Sequence, residues 1–207
     1  MTYLQMVNNI LKRLRERQVS SVNENSYSSL IGVLINDAKR EVEDSWDWSA
    51  LRTTITATTS PSTFSYVLTG SQNNIKVLEV LNDTEDNYLQ YKEAKWMTKQ
   101  FLLTSPETGS PMFYSFNGVD NDGDTIVDVY PIPDAVETLR FNVIQREQEM
   151  DADADVCNVP TQPVLMLAYA KAIEERGEDG GVAASSAYMT ATRSLNDAIS
   201  LDAIKPP

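Results

Sequence analysis

The spacing of apolar residues predicts two helices at the start of the chain. Residues 2–17 carry an apolar stripe with the three- and four-residue spacing of an amphipathic helix: Leu4, Val7, Ile10, Leu11 and Leu14. Thr2 and Gln5 have the spacing of a capping box at its beginning. A polar stretch, residues 20–26, then leads into a second helix that is predicted to end near Trp48. Its stripe consists of Tyr27, Leu30, Ile31, Leu34, Ala38 and Val42, whereas Asp37, Lys39, Arg40, Glu41 and Glu43 lie off it. Trp46 and Trp48 are predicted to anchor the end of this helix, because large aromatic side chains most often pack against a core or an interface.

From Leu51 onward the pattern becomes that of short strands. β-branched or alternating runs, separated by turn residues, cover 52–59, 64–69, 75–81, 88–91, 112–116, 125–130 and 138–145. A short helix is predicted from Glu93 to Leu103, with Trp96 on its buried face. The middle of the chain is therefore predicted to be a β-rich module.

The last fifty or so residues return to helical spacing. Pro160 and Pro163 stand where a helix start tolerates proline, and Gly177 is placed to cap its end. The short connection at 178–181 predicts an antiparallel pair with a final helix. The predicted fold class is α+β: an antiparallel helical bundle formed by the N- and C-terminal helices, with a β-rich insertion. The predicted domains are 1–50 with 158–203 for the bundle, 51–157 for the insertion and 204–207 as a flexible tail.

The charge is strongly acidic and unevenly distributed. The formal net charge is −13, yet residues 1–20 carry four basic residues, Lys12, Arg13, Arg15 and Arg17, against one acidic residue. An acidic body disfavours high-affinity binding of nucleic acid, although solubility alone could explain the charge. The basic cluster lies where it complements the negative end of the helix dipole, and an acidic partner surface is the alternative explanation.

The composition argues against most catalytic chemistry. The chain has no histidine and one cysteine, Cys157, which excludes triads built on histidine and any cysteine-rich zinc cluster. No phosphate-loop, dinucleotide-binding or nucleophile-elbow motif occurs. No apolar stretch approaches the roughly 20 residues of a membrane-spanning helix, and the start lacks a secretory layout. We therefore expect no enzyme, no cofactor and no membrane association, and synthesis in the host cytoplasm.

Two acidic segments are the weak candidates for a cation site. Asp120, Asp122 and Asp124 have the alternate spacing of a calcium loop, but glycine, proline and a following strand break the EF-hand pattern. A hairpin turn on Asp122-Gly123 is the simpler interpretation. The acidic run from Glu147 to Asp155 is interpreted as a solvated linker.

Three stretches together resemble a known family. The opening MTYLQMVNNILKRLRERQVSSV, the segment FNGVDNDGDTIVDVYPIPDAVETLRFNVIQRE and the tail PVLMLAYAKAIEERGEDGGVAASSAYMTATRSLNDAI occur in this order along the chain. They resemble the first helix, the Pro-x-Pro-Asp corner with its strands, and the closing helices of the head-to-tail adaptors of short-tailed, podovirus-type phages, also called tail tubular protein A. Residues 52–103 show no pattern that can be matched to that family.

The resemblance implies a structural virion protein at the head-tail junction. Adaptors of this family form a ring, commonly of twelve subunits, between the portal protein and the tail nozzle protein, near the tail fibres. DNA passes through the channel of such a ring without specific binding. A ring needs two different complementary faces on each subunit, and a basic first helix on an acidic body could supply one. We predict that Lys12, Arg13, Arg15 and Arg17 contribute to assembly.

Two other classes of function stay open from the sequence alone. A calcium-dependent binding module on the virion surface would use Asp120, Asp122, Asp124 and Asp128. A histidine-free, magnesium-dependent enzyme would need carboxylates gathered from distant segments.

Overall fold

The computed structural model describes residues 1–72, 74–177 and 181–204, and these form two compact units. Unit 1 comprises Met1–Leu51 and Arg146–Pro207, and unit 2 is the continuous stretch Arg52–Gln145. The helices in chain order are α1 (Tyr3–Arg13), α2 (Ser26–Ser45), α3 (Ala94–Phe101), α4 (Thr161–Arg176) and α5 (Val182–Ala203). The strands are β1 (Arg52–Thr58), β2 (Ser65–Leu68), β3 (Ile75–Asn82), β4 (Asn87–Tyr88), β5 (Gln90–Tyr91), β6 (Phe113–Val119), β7 (Thr125–Tyr130) and β8 (Thr138–Gln145). The protein is therefore of mixed α+β class.

Local capping explains where the helices of unit 1 begin and end. The Thr2 side chain accepts from the Gln5 backbone N–H, and the Gln5 side chain accepts from the Thr2 N–H, which confirms the predicted capping box. Asn25 caps α2 in the same manner with Ser28. Gly177 ends α4 in the left-handed conformation, as predicted.

Helix α4 is the most widely contacted helix of unit 1. It packs against α1, α2 and α5, so residues on several of its sides are buried, among them Val164, Leu165, Ala168 and Ala172. Helices α1 and α2 supply further buried side chains: Met6, Val7, Ile10, Leu11, Ile31, Ile35, Ala38 and Val42. Met6 and Ile35 were not part of the predicted stripes, whereas Leu4, Leu30 and Leu34 of those stripes are only partly buried. Trp48 is fully buried and donates from Nε1 to the Val42 carbonyl, which confirms its predicted role as an anchor. Trp46 is 37% exposed.

Unit 2 consists of two four-stranded sheets with one shared core. The strand orders are β1-β8-β3-β4 and β2-β7-β6-β5, and only the β5–β6 pair is parallel among the pairs of described strands. Alternate residues of both sheets face the core: Ala57, Val80, Leu139, Phe141 and Val143 from the first, with Leu68, Tyr114, Val127 and Val129 from the second. Helix α3 packs on β6 and β7.

Three predictions from local pattern are corrected by the structure. Helix α1 ends at Arg13, because Arg15 has a φ of +59° and cannot continue a helix. Helix α2 ends at Ser45, before both tryptophans. The side chains of Lys39 and Glu43 were expected off the buried stripe, but these residues are only 2% and 6% exposed.

The interpretation of the acidic run from Glu147 to Asp155 as a solvated linker is wrong. Residues 146–158, here called the return segment, lie along α1 and α2 within unit 1. The Asn36 side chain pairs with both the N–H and the carbonyl of Met150 at 3.1 and 2.9 Å. Asp44 and Arg40 of α2 form ion pairs with Arg146 and Glu149. One polar face of α2 therefore holds the segment by side chains spaced four residues apart.

The remainder of the return segment is held at the start of α1. The N–H groups of Tyr3 and Leu4 donate to the carbonyls of Asp155 and Asp153 at 2.8 and 3.2 Å. These are N–H groups of the first turn, which have no partner inside the helix. The Asp153 carboxylate accepts from the Val22 N–H at 2.8 Å. Unit 1 is thus built from residues on both sides of unit 2 in the chain.

Two parts of the sequence-based description lie outside the described residues: most of the connection at 178–181, and residues 205–207 of the predicted tail. Within the part of the chain that the structure describes, no helix is long and apolar enough to cross a membrane.

Candidate interaction surfaces

The four predicted interface residues follow one another around the end of α1. Lys12 and Arg13 lie in its last turn, where a positive charge is favourable beside the unpaired carbonyls. Arg15 and Arg17 come after the helix, where the chain has turned through the positive φ of Arg15. The sequence therefore placed the cluster correctly at the end of a helix, although two members lie outside it.

Arg13 differs from the other three because it is held within unit 1. Its Nε donates to Asn9 Oδ1 at 2.9 Å, and its guanidinium lies 5.8 Å from the centre of the Tyr169 ring of α4. A guanidinium over an aromatic face gains a cation–π attraction. Arg13 thus helps to join α1 to α4, a role that a partner is not needed to explain.

Lys12, Arg15 and Arg17 are exposed, and none of the three forms an ion pair within the part of the chain that is described. Glu16, between them, is paired instead with Arg176. The charge of Arg17 reaches Glu24, whose pKa is lowered mainly by hydrogen bonds from Ser20 and further by Arg17. These three cations form the part of the cluster that is available to a partner.

The candidate calcium loop is a turn stabilised by its own hydrogen bonds. Asp120 Oδ1 accepts from the N–H groups of Asp122 and Asp124, at 2.9 Å each, and Gly123 has a φ of +86°. The Asp124 carboxylate accepts from the N–H groups of Gly70 and Gln72, again at 2.9 Å each. These two hydrogen bonds lower the pKa of Asp124, and the one from Gln72 has the larger effect. The predicted hairpin turn is confirmed.

The described residues contain no group of three or more acidic, cysteine or histidine side chains placed to hold a metal ion. Asp120 and Asp124 are each occupied by backbone donors, and Asp128 lies in β7 between Ser65 of β2 and Ser115 of β6. The calcium-dependent alternative therefore receives no support from the structure.

A buried charged cluster in unit 1 was missed by the sequence analysis. Lys39 Nζ lies 2.9 Å from Glu43 Oε1 and 3.5 Å from Glu147 Oε2, and it donates to the Gln148 carbonyl at 2.8 Å. Burial raises the pKa of Glu43, and the nearby Glu147 adds to that rise while Lys39 opposes it. The i, i+4 spacing of Lys39 and Glu43 was the only local signal, and it is equally common on exposed helix faces.

Cys157 lies close to this cluster and is 4% exposed. Burial raises the pKa of its thiol to about 11, so the thiolate that would act as a nucleophile is scarce at neutral pH. Its Sγ donates to the Val159 carbonyl at 3.6 Å. The thiol is a packed side chain of the core.

The fold is of α+β class, and its exposed cations at the end of α1 are available to a partner. Charged groups of the described residues serve to hold segments together or lie exposed at the surface, as at the end of α1. Comparison with known families gives the specific assignment: the model of the SU10 adaptor protein family matches residues 1–205, and the chain belongs to that family. No curated protein matches the chain. It is an adaptor protein of a bacteriophage, a structural component of the virion that interacts with other virion components.

Proposed function

We propose that this protein is the head-tail adaptor of a short-tailed phage, of the type called tail tubular protein A. Identical subunits form a ring, commonly of twelve in that type, which joins the portal protein to the tail nozzle protein. The observation that supports this proposal most is the family match, because it extends over residues 1–205 of the 207. A match of that extent covers both units.

The two units correspond to the two domains of the proposed adaptor. In this proposal the helices of unit 1 form an antiparallel bundle, which the contacts of α4 with α1, α2 and α5 support. The boundaries predicted from the sequence are 1–50 and 158–203 for the bundle domain and 51–157 for the inserted β-rich domain. The contacts of the return segment with α2 support extending the bundle domain back to Arg146.

The charge of the protein suits a channel through which DNA moves. A net charge of −13 on each subunit repels the phosphate backbone, so DNA passes without specific binding. In the virion the ring lies at the head-tail junction, where tail fibres are also held.

Imaging tests the proposed ring directly. The purified protein is examined by electron microscopy alone and after mixing with the portal protein of the same phage. Rings on the portal, in particles with density for a central channel, are the expected result. A protein that stays monomeric and does not bind the portal contradicts the proposal.

The basic end of α1 is proposed as one contact surface of the ring. Replacing Lys12, Arg13, Arg15 and Arg17 together by glutamine should weaken docking on the portal or growth of the ring, as measured by sedimentation. Because Arg13 packs on Tyr169, a second variant should retain it and change only the other three residues. Both variants are expected to weaken docking on the portal or growth of the ring.

The control for charge alone is the double variant Arg52→Gln and Arg193→Gln, which changes two exposed cations elsewhere on the chain. It should assemble like the parent protein. If the variants at the end of α1 also assemble like the parent, these residues are not part of a contact surface.

A further inference from the structure

One surface of unit 2 combines aromatic, aliphatic and basic side chains. Five aromatic rings form a connected cluster at α3, β6 and β7: Phe64, Trp96, Phe101, Phe113 and Tyr130. Phe64 stacks on Phe101 at 4.2 Å between ring centres, and Trp96 meets Phe113 edge-on at 5.1 Å. Tyr130 contacts both Trp96 and Phe101, at 5.8 and 5.9 Å. The cluster is only partly covered by the rest of unit 2, since Phe64 is 36% exposed.

Aliphatic side chains beside this cluster are exposed to solvent. Leu102 and Leu103 directly follow Phe101 and are 79% and 53% exposed, and Met112, next to Phe113, is 55% exposed. Exposed apolar residues are ordinary when scattered singly, but several of them next to members of an exposed aromatic cluster are typical of an interaction surface.

The same surface is basic, although the net charge of the protein is −13. Lys92 lies 4.9 Å from the centre of the Phe113 ring and 5.7 Å from that of Trp96, and Lys95 and Lys99 of α3 are exposed. None of the three lysines forms an ion pair within the described ranges, and Glu93 is the carboxylate nearest to them in the chain. We call the surface formed by Lys92, Lys95, Lys99, Leu102, Leu103 and Met112 the α3 patch.

A second surface of unit 2 has the complementary chemistry. The β3–β4 turn and the β7–β8 loop are joined by hydrogen bonds, from the Asp83 N–H to the Thr138 carbonyl at 2.8 Å and from the Thr138 N–H to Thr84 Oγ1 at 3.0 Å. Three carboxylates are exposed there without an ion pair among the described residues, and two apolar side chains beside them are about two-thirds exposed. This acidic end consists of Glu85, Asp86 and Asp134 with Tyr88 and Val136.

We propose that the α3 patch of one copy of this chain docks against the acidic end of unit 2 of a second copy. Three unpaired lysines face three unpaired carboxylates, and both surfaces offer apolar side chains that such a contact would remove from water. Two different patches on one subunit make a head-to-tail contact, and repetition of that contact closes a ring or continues as a filament. The inference rests on the proposed ring and names the surfaces that form it.

Photo-crosslinking in phage particles tests this contact in the assembled virion. A photoreactive amino acid replaces Leu102, a position exposed enough to accept it, in particles of a phage that lacks the gene and receives the variant from a plasmid. After irradiation, the crosslinked species with the mass of two copies is isolated, and mass spectrometry of it should find crosslinks from this position to residues 83–88 or 133–137; the species with the mass of one copy shows which crosslinks form within a single chain. The same probe at Val119, which is exposed on the β6–β7 hairpin, should not give them. A crosslink from Leu102 to another virion protein or to DNA, or none, overturns the proposal.

Exchanging the charges of the two surfaces is the second test of the proposed contact. The variant Lys95→Glu with Lys99→Glu should lower the number of copies per particle by at least about tenfold, because it faces carboxylates with carboxylates. Adding Glu85→Lys and Asp86→Lys to the same chain should restore the copy number, since the two charges are then exchanged. Unchanged melting temperatures of the purified variants exclude misfolding as the cause. Copy numbers that stay at the parent's level in the first variant, or stay low in the combined one, contradict the pairing.

The two arms separate this inference from the proposed function. If the unchanged protein is absent from purified particles, the proposed function fails and the inference fails with it. If the protein is present but the crosslinks or charge exchange point elsewhere, the adaptor function stands and only the proposed contact is wrong.

Discussion

The buried lysine of unit 1 supports the sharpest prediction about stability. Replacing Lys39 by methionine keeps much of the side-chain volume but removes the cation that lies 2.9 Å from Glu43 and 3.5 Å from Glu147. Glu43 is then left buried with a second carboxylate nearby. The Gln148 carbonyl also loses its donor.

The expected loss is large because burial prevents water from replacing the lost partner. Removing one partner of a buried ion pair typically costs about 3–5 kcal/mol of unfolding free energy. Replacing both partners by apolar side chains of similar size is often close to neutral. The double variant Lys39→Met with Glu43→Met should therefore be more stable than Lys39→Met alone, although Glu147 still limits the recovery.

Denaturant unfolding followed by tryptophan fluorescence measures these differences. In a Trp96→Phe background the two remaining tryptophans, Trp46 and Trp48, both belong to unit 1. The matched control is Arg40→Met on the same helix, whose ion pair with Glu149 is about half exposed on both sides and should contribute at most about 1 kcal/mol.

The pH dependence gives an independent check. The pKa of Glu43 is raised by burial, and removing Lys39 removes the main influence that lowers it. A group with a raised pKa in the folded state contributes stability at low pH that is lost as the pH rises through its folded pKa. The defect of Lys39→Met should therefore shrink as the pH is lowered from neutrality. A loss no larger than that of the control, or a double variant no better than the single one, would refute the reasoning.

Three further predictions concern other buried positions. Gly32→Ala should lower the melting temperature, because the added Cβ would lie 2.5 Å from the hydroxyl oxygen of Tyr3, and overpacking of about 1–3 kcal/mol exceeds the roughly 1 kcal/mol gained in helix propensity. Asp128→Asn should stabilise unit 2 at neutral pH, since burial raises the pKa of Asp128; its advantage in denaturant unfolding should vanish as the pH falls. Asp124→Ala should show the opposite dependence of stability on pH. The hydrogen bonds that lower the pKa of Asp124 stabilise the folded state at pH values above the pKa of this group in the unfolded chain. The loss of unfolding free energy in the variant should therefore be largest near neutrality and disappear in acid. In a urea titration, a defect of Asp124→Ala that is independent of pH would contradict this account.

The hydrophobic pattern predicted most of the elements because each is amphipathic or alternating over its own length. Strands β7 and β8 have the predicted bounds, and the turn on Gly123 and the cap at Gly177 lie where local residue chemistry placed them. The end of α1 was missed because the exposed residues after Arg13 continue a helical composition. Local pattern does not record a change of backbone conformation at a residue such as Arg15.

Contacts between residues that are distant in the chain account for the other differences between the predicted and the observed structure. Lys39 is buried by residues more than a hundred positions away in the chain, so its i, i+4 spacing with Glu43 could not distinguish a buried pair from an exposed one. The acidic run from Glu147 was interpreted as a linker because composition alone cannot show that Asn36 and the start of α1 supply donors for its backbone. The α3 patch was missed for a related reason: Leu102 and Leu103 were assigned to the end of a helix for which only Trp96 was placed, on the buried face.

The pairing of β1 with β8 has a consequence for how this protein could be rebuilt. Arg52 and Ile144 are partners in neighbouring strands, so unit 2 starts and finishes at almost the same point. Such a module behaves as a cassette: a few linking residues suffice to bridge its ends, and shortening a closed loop lowers its entropic cost. Excising unit 2 and joining Leu51 to Arg146 by a short glycine-rich link should leave the helical part able to fold. Modules from other adaptors could be grafted at the same junction, which would let the helical and β-rich parts of the protein diversify separately.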